Sequence, residues 1–385
     1  MSLKIVQIIP ALDAGGAERT VVEITRAVSK AGGQALCITA GGRLEDEVIA
    51  AGGVIAHLPV HSKNPYVMWR NVGQIVKIAS AFEADLLHAR SRAPAWSAKA
   101  ACQRLNLPFV TTYHGTYNAR SALKRYYNSI MAAGDAVIAN SGFIARRIID
   151  EHAIEESRLT VIPRGVAPVY FDIPMTMDAA GSTIPGTKVR INRAPNEPLI
   201  VLPGRLTRWK GQESAIDAVA RLHQDGHKAH LVLAGDAQGR DHYVAVLHQQ
   251  VARASLGAYV HFCGHVEDMA ALYCGADIVL SASIEPEAFG RVAVEGQASA
   301  RLTVASAHGG TLETVLDGQT GFHFQPANAE DLANVLKNAL RLDTDTHQQI
   351  RTTARKHTLA HYSRKAMCAK TLGLYRHLIC TRKGN

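Results

Sequence analysis

No stretch of 18 or more apolar residues occurs in the chain, and a membrane-spanning helix takes about 20 of them. A transmembrane anchor is therefore not expected. The opening Met1–Pro10 is too short and too interrupted to read as a secretory signal. Aromatic residues make up only 6%. A nucleic-acid binder needs basic clusters interleaved with stacking aromatics, and no recognised nucleic-acid motif is present, so nucleic acid is not an expected partner. None of the six cysteines (Cys37, Cys102, Cys263, Cys274, Cys368, Cys380) forms a C-x-x-C pair. In a chain this long they read as reduced, mostly buried thiols of a cytoplasmic protein. The 18 histidines include no HExxH pattern, so no metal site is expected. The 31 Gly and 14 Pro follow no period, which excludes collagen-like sequence.

What is present is ample core material. Hydrophobic residues are 47% and charged residues 19% of 385, which excludes a mostly disordered chain and suggests two or three domains. Lys plus Arg is 42 against 33 Asp plus Glu, a formal charge of +9. That balance suits acidic partners such as anionic lipid or phosphate-bearing substrates.

Short apolar runs alternate with amphipathic segments. Lys4–Ile9, Ala35–Thr39, Val54–Leu58, Asp85–His88, Phe109–Thr112 and Ala136–Ala139 are strand candidates with helical patterns between most of them. Six prolines then crowd residues 163–198, a break that reads as an irregular linker. Alternation resumes with Leu199–Leu202, His230–Ala234, Tyr259–Phe262, Ile278–Ser281 and Thr303–Ser306, and the tail from Glu330 to Ile379 is helical. This is an α/β chain with two open parallel sheets. Ligands of such sheets bind beyond the carboxyl ends of the strands.

Three motifs fall at such ends. Gly15-Gly16-Ala17-Glu18 follows the first strand and opens a helix. Backbone N–H groups there can meet an anion, although a tight turn accounts for two glycines equally well. Gly204-Arg205-Leu206-Thr207-Arg208-Trp209-Lys210-Gly211 places two cations, Arg205 and Lys210, in a strand-to-helix loop, where they can clamp a diphosphate or be solvated surface charges. Glu285-Pro286-Glu287-Ala288-Phe289-Gly290-Arg291 leads into a helix that contains Glu295. Carboxylates accept hydrogen bonds from vicinal hydroxyls, and amides at the helix start can hold a phosphate or a hydroxyl. Helix-dipole stabilisation of Glu287 and an exposed helical charge at Glu295 are the structural alternatives.

In this order, G-G-A-E, G-R-x4-K-G (Gly204 to Gly211) and E-x-F-G-x4-E (Glu287 to Glu295) resemble the retaining nucleotide-sugar glycosyltransferases of family 4 over essentially the whole chain. The resemblance implies a GT-B fold, two Rossmann-like domains facing a central cleft. It implies an N-terminal acceptor domain over 1–165, a linker over 166–197, a donor domain over 198–360, and a terminal helix over 361–385 that packs back on the first domain. By the same resemblance Arg205 and Lys210 hold the donor diphosphate, and Glu287 holds the donor-sugar hydroxyls beside the amides of Phe289 and Gly290. Glu295 holds the ribose, Val266 lies at the base, and Gly15-Gly16 brings an amide to the distal phosphate. His114, in Thr112-Tyr113-His114-Gly115, is similar to the family histidine facing the reacting side of the sugar. The choice of Glu287 over Glu285 rests on its eight-residue offset from Glu295. Two positions depart from the pattern: Arg164 stands where the family often has Asn, and Ala167 where it often has Asp.

The implied reaction is metal-independent and cofactor-free. A hexose, with a lean toward mannose, passes from a nucleotide-diphosphate sugar to a glycan or lipid-linked acceptor in cell-envelope polysaccharide or lipopolysaccharide synthesis. Asp343-Thr344-Asp345 spells the D-x-D of metal-dependent enzymes but lies between helical stretches, where capping explains it better. The cations and aromatics of Arg120–Tyr127, with Arg90, Arg92, Arg146 and Arg147, can form a face for an anionic membrane. The competing readings are a nucleotide-sugar epimerase of related fold and a non-catalytic basic binding protein.

Overall fold

The computed structural model describes residues 2–13, 16–117, 121–175 and 183–383. It divides into two compact units, Met1–Gly165 with Arg364–Asn385, and Val166–Ser363.

The first unit is built on seven parallel strands: β1 (Lys4–Ile8), β2 (Gln34–Thr39), β3 (Gly53–His57), β4 (Leu86–Ala89), β5 (Phe109–Tyr113), β6 (Ala136–Ala139) and β7 (Leu159–Val161), in the order β3-β2-β1-β4-β5-β6-β7. The second has β8 (Leu199–Pro203), β9 (His230–Ala234), β10 (Val260–Gly264), β11 (Ile278–Ser281), β12 (Leu302–Ser306) and β13 (Phe322–Phe324), in the order β10-β9-β8-β11-β12-β13. Every pairing is parallel. Central strands such as β4, β8 and β11 are buried along their whole length, as expected when helices cover both faces. The strand order reverses between β1 and β4 in one unit and between β8 and β11 in the other, where doubly wound sheets open a crevice at their carboxyl edge.

The alternation read from sequence finds all but two strands. The exceptions, β7 and β13, are three-residue edge strands, too short to show a pattern. The helix Arg364–Lys383 belongs to the first unit. Its Met367, Leu372, Tyr375 and Ile379 are buried with Leu3, Ile5, Ile24 and Val110, and Tyr375 Oη lies 2.5 Å from His88 Nδ1. The described part of the proline-rich stretch is irregular but firmly packed. Ile173, Ile184 and Ile191 are buried with Val201, Val232 and Leu272 of the second unit, and the buried guanidinium of Arg301 donates to the Pro174 carbonyl at 2.9 Å.

Candidate functional site

In the second unit the loops leaving β8 and β11 are stitched together. Gly211 has φ +73°, and a Cβ there would stand 1.9 Å from the Ala282 carbonyl oxygen. Only glycine permits that approach and that backbone conformation. Ile284 N–H donates to the Trp209 carbonyl at 2.8 Å. This close fit brings together two residues 77 positions apart in sequence: Lys210 Nζ donates to Glu287 Oε1 at 2.5 Å. Ser283 Oγ donates to the same oxygen. Both ends of the pair are largely withdrawn from water, with side-chain exposures of 13% and 12%. The ammonium also lies 4.2 Å from the Trp209 ring centroid, within cation–π range. Arg205, on the same loop, is exposed, and its guanidinium has no partner among the described residues.

Glu287 is fixed through its backbone as well, because Gly310 N–H donates to its carbonyl at 2.7 Å. Phe289 is buried and meets Tyr362 edge-on at 5.6 Å. Gly290, at φ +82°, precedes the helix Arg291–Ala298. Glu295 on that helix is not an exposed charge. It is 8% exposed, accepts from Tyr273 Oη at 3.1 Å and from Arg291 Nη2 at 2.8 Å, and in turn holds the Arg291 guanidinium more basic than usual. The Val266 side chain is buried with Val201 and Val232. Ser283, Trp209 and the Gly309-Gly310 pair did not figure among the candidates. The glycine pair follows β12, so the strand-end rule that picked Gly15-Gly16 also points to it.

In the first unit, Gly15 lies outside the described residues, as does Arg120. Gly16 begins the helix Gly16–Lys30, and its carbonyl accepts from Thr20 Oγ1 at 2.8 Å. His114 follows β5. Its Nδ1 is 3.3 Å from Arg164 Nη2, and its Nε2 is buried without a partner. Burial holds the imidazole well below the usual histidine range, and the charges of Arg164 and Arg90 push the same way. Arg90 requires a correction. It is 3% exposed and lies inside the unit, with Nε and Nη2 both donating to Gln7 Oε1 at 3.0 and 2.6 Å. It therefore adds nothing to a surface patch. Arg92 is engaged too, donating to Asn128 and lying over the Tyr117 ring at 4.4 Å. What the helix Ala122–Ser129 does present is Leu123 and Tyr126, 78% and 64% exposed.

Two family models match the chain, "Glycosyltransferase Family 4" over residues 14–169 and "Glycosyl transferases group 1" over 186–357. A crystal structure of a glycosyltransferase from Rickettsia africae ESF-5 is 33% identical over 98% of this chain and 99% of that one, with a TM-score of 0.87. The chain belongs to the family 4 glycosyltransferases. Its GT-B fold is shared with Anabaena Alr3699/HepE, solved in complex with UDP (24% identity, 98% and 100% of the two chains, TM-score 0.81). Among curated relatives, a D-inositol 3-phosphate glycosyltransferase from Xylanimonas cellulosilytica is 27% identical over 80% of this chain and 79% of its own length. In this glycosyltransferase Asp343 caps the helix Thr344–Tyr362, its Oδ1 accepting from Thr346 N–H at 2.9 Å. Histidines four apart do occur, as at His357 and His361. Among the described residues, however, no group of three or more His, Cys, Asp or Glu could hold a metal ion.

Proposed function

We propose that this glycosyltransferase moves a hexose, with a lean toward mannose, from a nucleotide-diphosphate sugar to a glycan or lipid-linked acceptor, with retention and without a metal. The reading is carried by the half-buried Lys210–Glu287 pair at the strand-order reversal of the second unit. A departing nucleoside diphosphate gathers negative charge on its phosphoryl oxygens. Lys210, the unpaired Arg205 and the amides at Gly290 and Arg291 are the local donors suited to that charge. As the Lys210 ammonium turns to phosphate, the Glu287 carboxylate is freed to accept from sugar hydroxyls. Glu295, already accepting from two donors, suits the ribose hydroxyls. Burial in the first unit and the charges of Arg164 and Arg90 hold His114 well below the usual histidine range, so it is kept neutral, which suits the role that the resemblance gives it. With retention, the leaving phosphate can take the acceptor proton on the same face, so no carboxylate base is assigned. The UDP complex of the Anabaena neighbour supports a nucleotide-linked donor. The phosphorylated acceptor named for the Xylanimonas relative supports an acidic one.

The charge of +9 fits an acceptor in cell-envelope polysaccharide or lipopolysaccharide synthesis. So do the exposed Leu123 and Tyr126, and the exposed Tyr66 and Trp69 on the helix Pro65–Ala81, since such side chains suit a membrane surface. The test has two arms. A panel of UDP, GDP and ADP compounds is screened by thermal shift, since a ligand at 100 times its Kd stabilises by about 2.7 kcal/mol. Lys210→Ala then lowers turnover by roughly two orders of magnitude or more, as loss of one preorganised charge-stabilising donor does. Near-normal turnover in that variant removes the assignment.

A further inference from the structure

The second unit carries a cavity that the donor reading does not use. It measures about 480 Å³, within the range of small-molecule sites. It lies at the amino edge of the sheet, where its wall includes Pro198, Asp277 and Leu302 at the starts of β8, β11 and β12. Lys210 and Glu287 follow the opposite ends of β8 and β11, a strand length of roughly 13 Å or more away.

Four cations line the cavity, Arg193, Lys228, Lys337 and Arg341, together with two carboxylates, Glu197 and Asp277. Arg193 is built into the wall: its side chain is 7% exposed, and Nη1 donates to Asp277 Oδ2 at 3.3 Å. Lys337 donates at 2.7 Å to Asp225, an exposed carboxylate beside the wall. Lys228 and Arg341 make no ion pair among the described residues, and their charges reach Glu197 and Asp225 only through space. Arg341 Nη2 donates instead to His227 Nε2 at 2.7 Å, an acceptor role open only to the neutral imidazole. The two carboxylates are half engaged. Glu197 Oε2 accepts from Ala194 N–H and His230 Nε2, both at 3.1 Å, and Asp277 Oδ2 also accepts from Leu199 N–H at 2.7 Å. Their other oxygens accept no hydrogen bond among the described residues. Leu302 and Ala339 add buried apolar surface. No Phe, Tyr or Trp lines the cavity, so a nucleobase finds no stacking face there.

We propose that this cavity is a second binding site, for a sugar phosphate: Lys228 and Arg341 take the phosphate, and the unengaged oxygens of Glu197 and Asp277 take hydroxyls. An Arg fork beside a Lys point charge suits a phosphate monoester, and the carboxylates disfavour a ligand that is anionic throughout. The site does not rest on the glycosyl-transfer reading, because none of these residues belongs to it.

The test is calorimetric titration of the full-length protein with glucose 1-phosphate, glucose 6-phosphate, inorganic phosphate and glucose. At least one sugar phosphate binds saturably and at least tenfold tighter than inorganic phosphate, and glucose does not bind up to about 10 mM. Lys228→Ala and Arg341→Gln each weaken that binding at least tenfold by removing a charge-assisted donor, with Tm unchanged because both side chains are exposed. Lys210→Ala leaves it unaltered. The absence of saturable binding of either sugar phosphate below about 10 mM overturns the proposal. So does inorganic phosphate or glucose binding as tightly as both, or wild-type affinity in the Lys228→Ala, Arg341→Gln double variant. Loss of binding in Lys210→Ala also overturns it, since that puts the ligand in the donor crevice. The nucleotide thermal-shift panel tests the donor reading separately, so either result can fail without the other.

Discussion

Removing one member of the Lys210–Glu287 pair costs more than removing both. In Lys210→Met the carboxylate of Glu287, 12% exposed, keeps only the Ser283 hydroxyl. Stranding one partner of a buried ion pair costs about 3–5 kcal/mol. The Ser283 hydrogen bond offsets part of this, which leaves a loss of about 2–3 kcal/mol. Glu287→Gln costs less, because the ammonium retains an amide oxygen and the Trp209 ring at 4.2 Å and sits on a flexible stem. The double variant leaves no uncompensated charge and recovers most of the loss, for a coupling of at least about 1.5 kcal/mol, within the range seen for contacting residues. Urea unfolding reads this out. Trp209 is the sole tryptophan between Val166 and Ser363, so its fluorescence in a Trp69→Phe, Trp96→Phe background follows the right unit. The catalytic reading adds a dissociation: the double variant regains stability but not turnover. If the two single losses add within about 0.5 kcal/mol, the pair is not coupled and the reasoning fails. If the double variant turns over normally, the catalytic assignment fails instead.

Gly211→Ala is expected to be severe. It combines a left-handed backbone at φ +73° with a Cβ placed 1.9 Å from the Ala282 carbonyl, and the backbone term alone costs roughly 1–2 kcal/mol. Tm should fall and nucleotide-induced stabilisation should vanish, because the displaced loop no longer carries Lys210 to Glu287; wild-type nucleotide stabilisation in this variant would count against that role for the loop. Stability should also depend on pH through histidines buried in neutral form. Burial lowers His88 and His114 well below their ordinary range and His261 to about 4. The unfolded chain therefore binds more protons between about pH 6.5 and 4, so stability is complete above pH 6.5 and is lost as pH falls through that window. His261→Gln should flatten the slope of unfolding free energy between pH 6.5 and 4, and an unchanged slope would clear His261 of the effect.

Much of this was legible because parallel sheets write themselves plainly. β8 is a five-residue apolar run followed by Gly204, and β11 a four-residue run followed by Ser-Ala-Ser, so both loops could be located before their contacts were known. Spacing cannot reveal partners across the fold. Lys210 and Glu287 are separated by 77 residues, and only the close approach at Gly211 joins them. Glu295 has the helical period of a surface charge; its burial follows from Tyr273, on a different helix. Arg90 was misplaced for a related reason. It stands one residue beyond β4, in a stretch rich in Arg and Ser, and its burial depends on Gln7 of β1, a pairing that the strand order creates and local sequence does not.

The strand-order reversal of the second unit handles charge by exchange. In the second unit the cation of Lys210 comes already neutralised by Glu287. A phosphate entering there competes with a carboxylate, and the displaced carboxylate becomes an acceptor for whatever hydroxyls accompany that phosphate. On the proposed reading, recognition of the phosphate and of the sugar is thereby coupled in one exchange, and a bare anion gains little. Inorganic phosphate should therefore leave Trp209 fluorescence unchanged at concentrations where a nucleoside diphosphate sugar perturbs it, and an equal response to phosphate alone would refute the coupling.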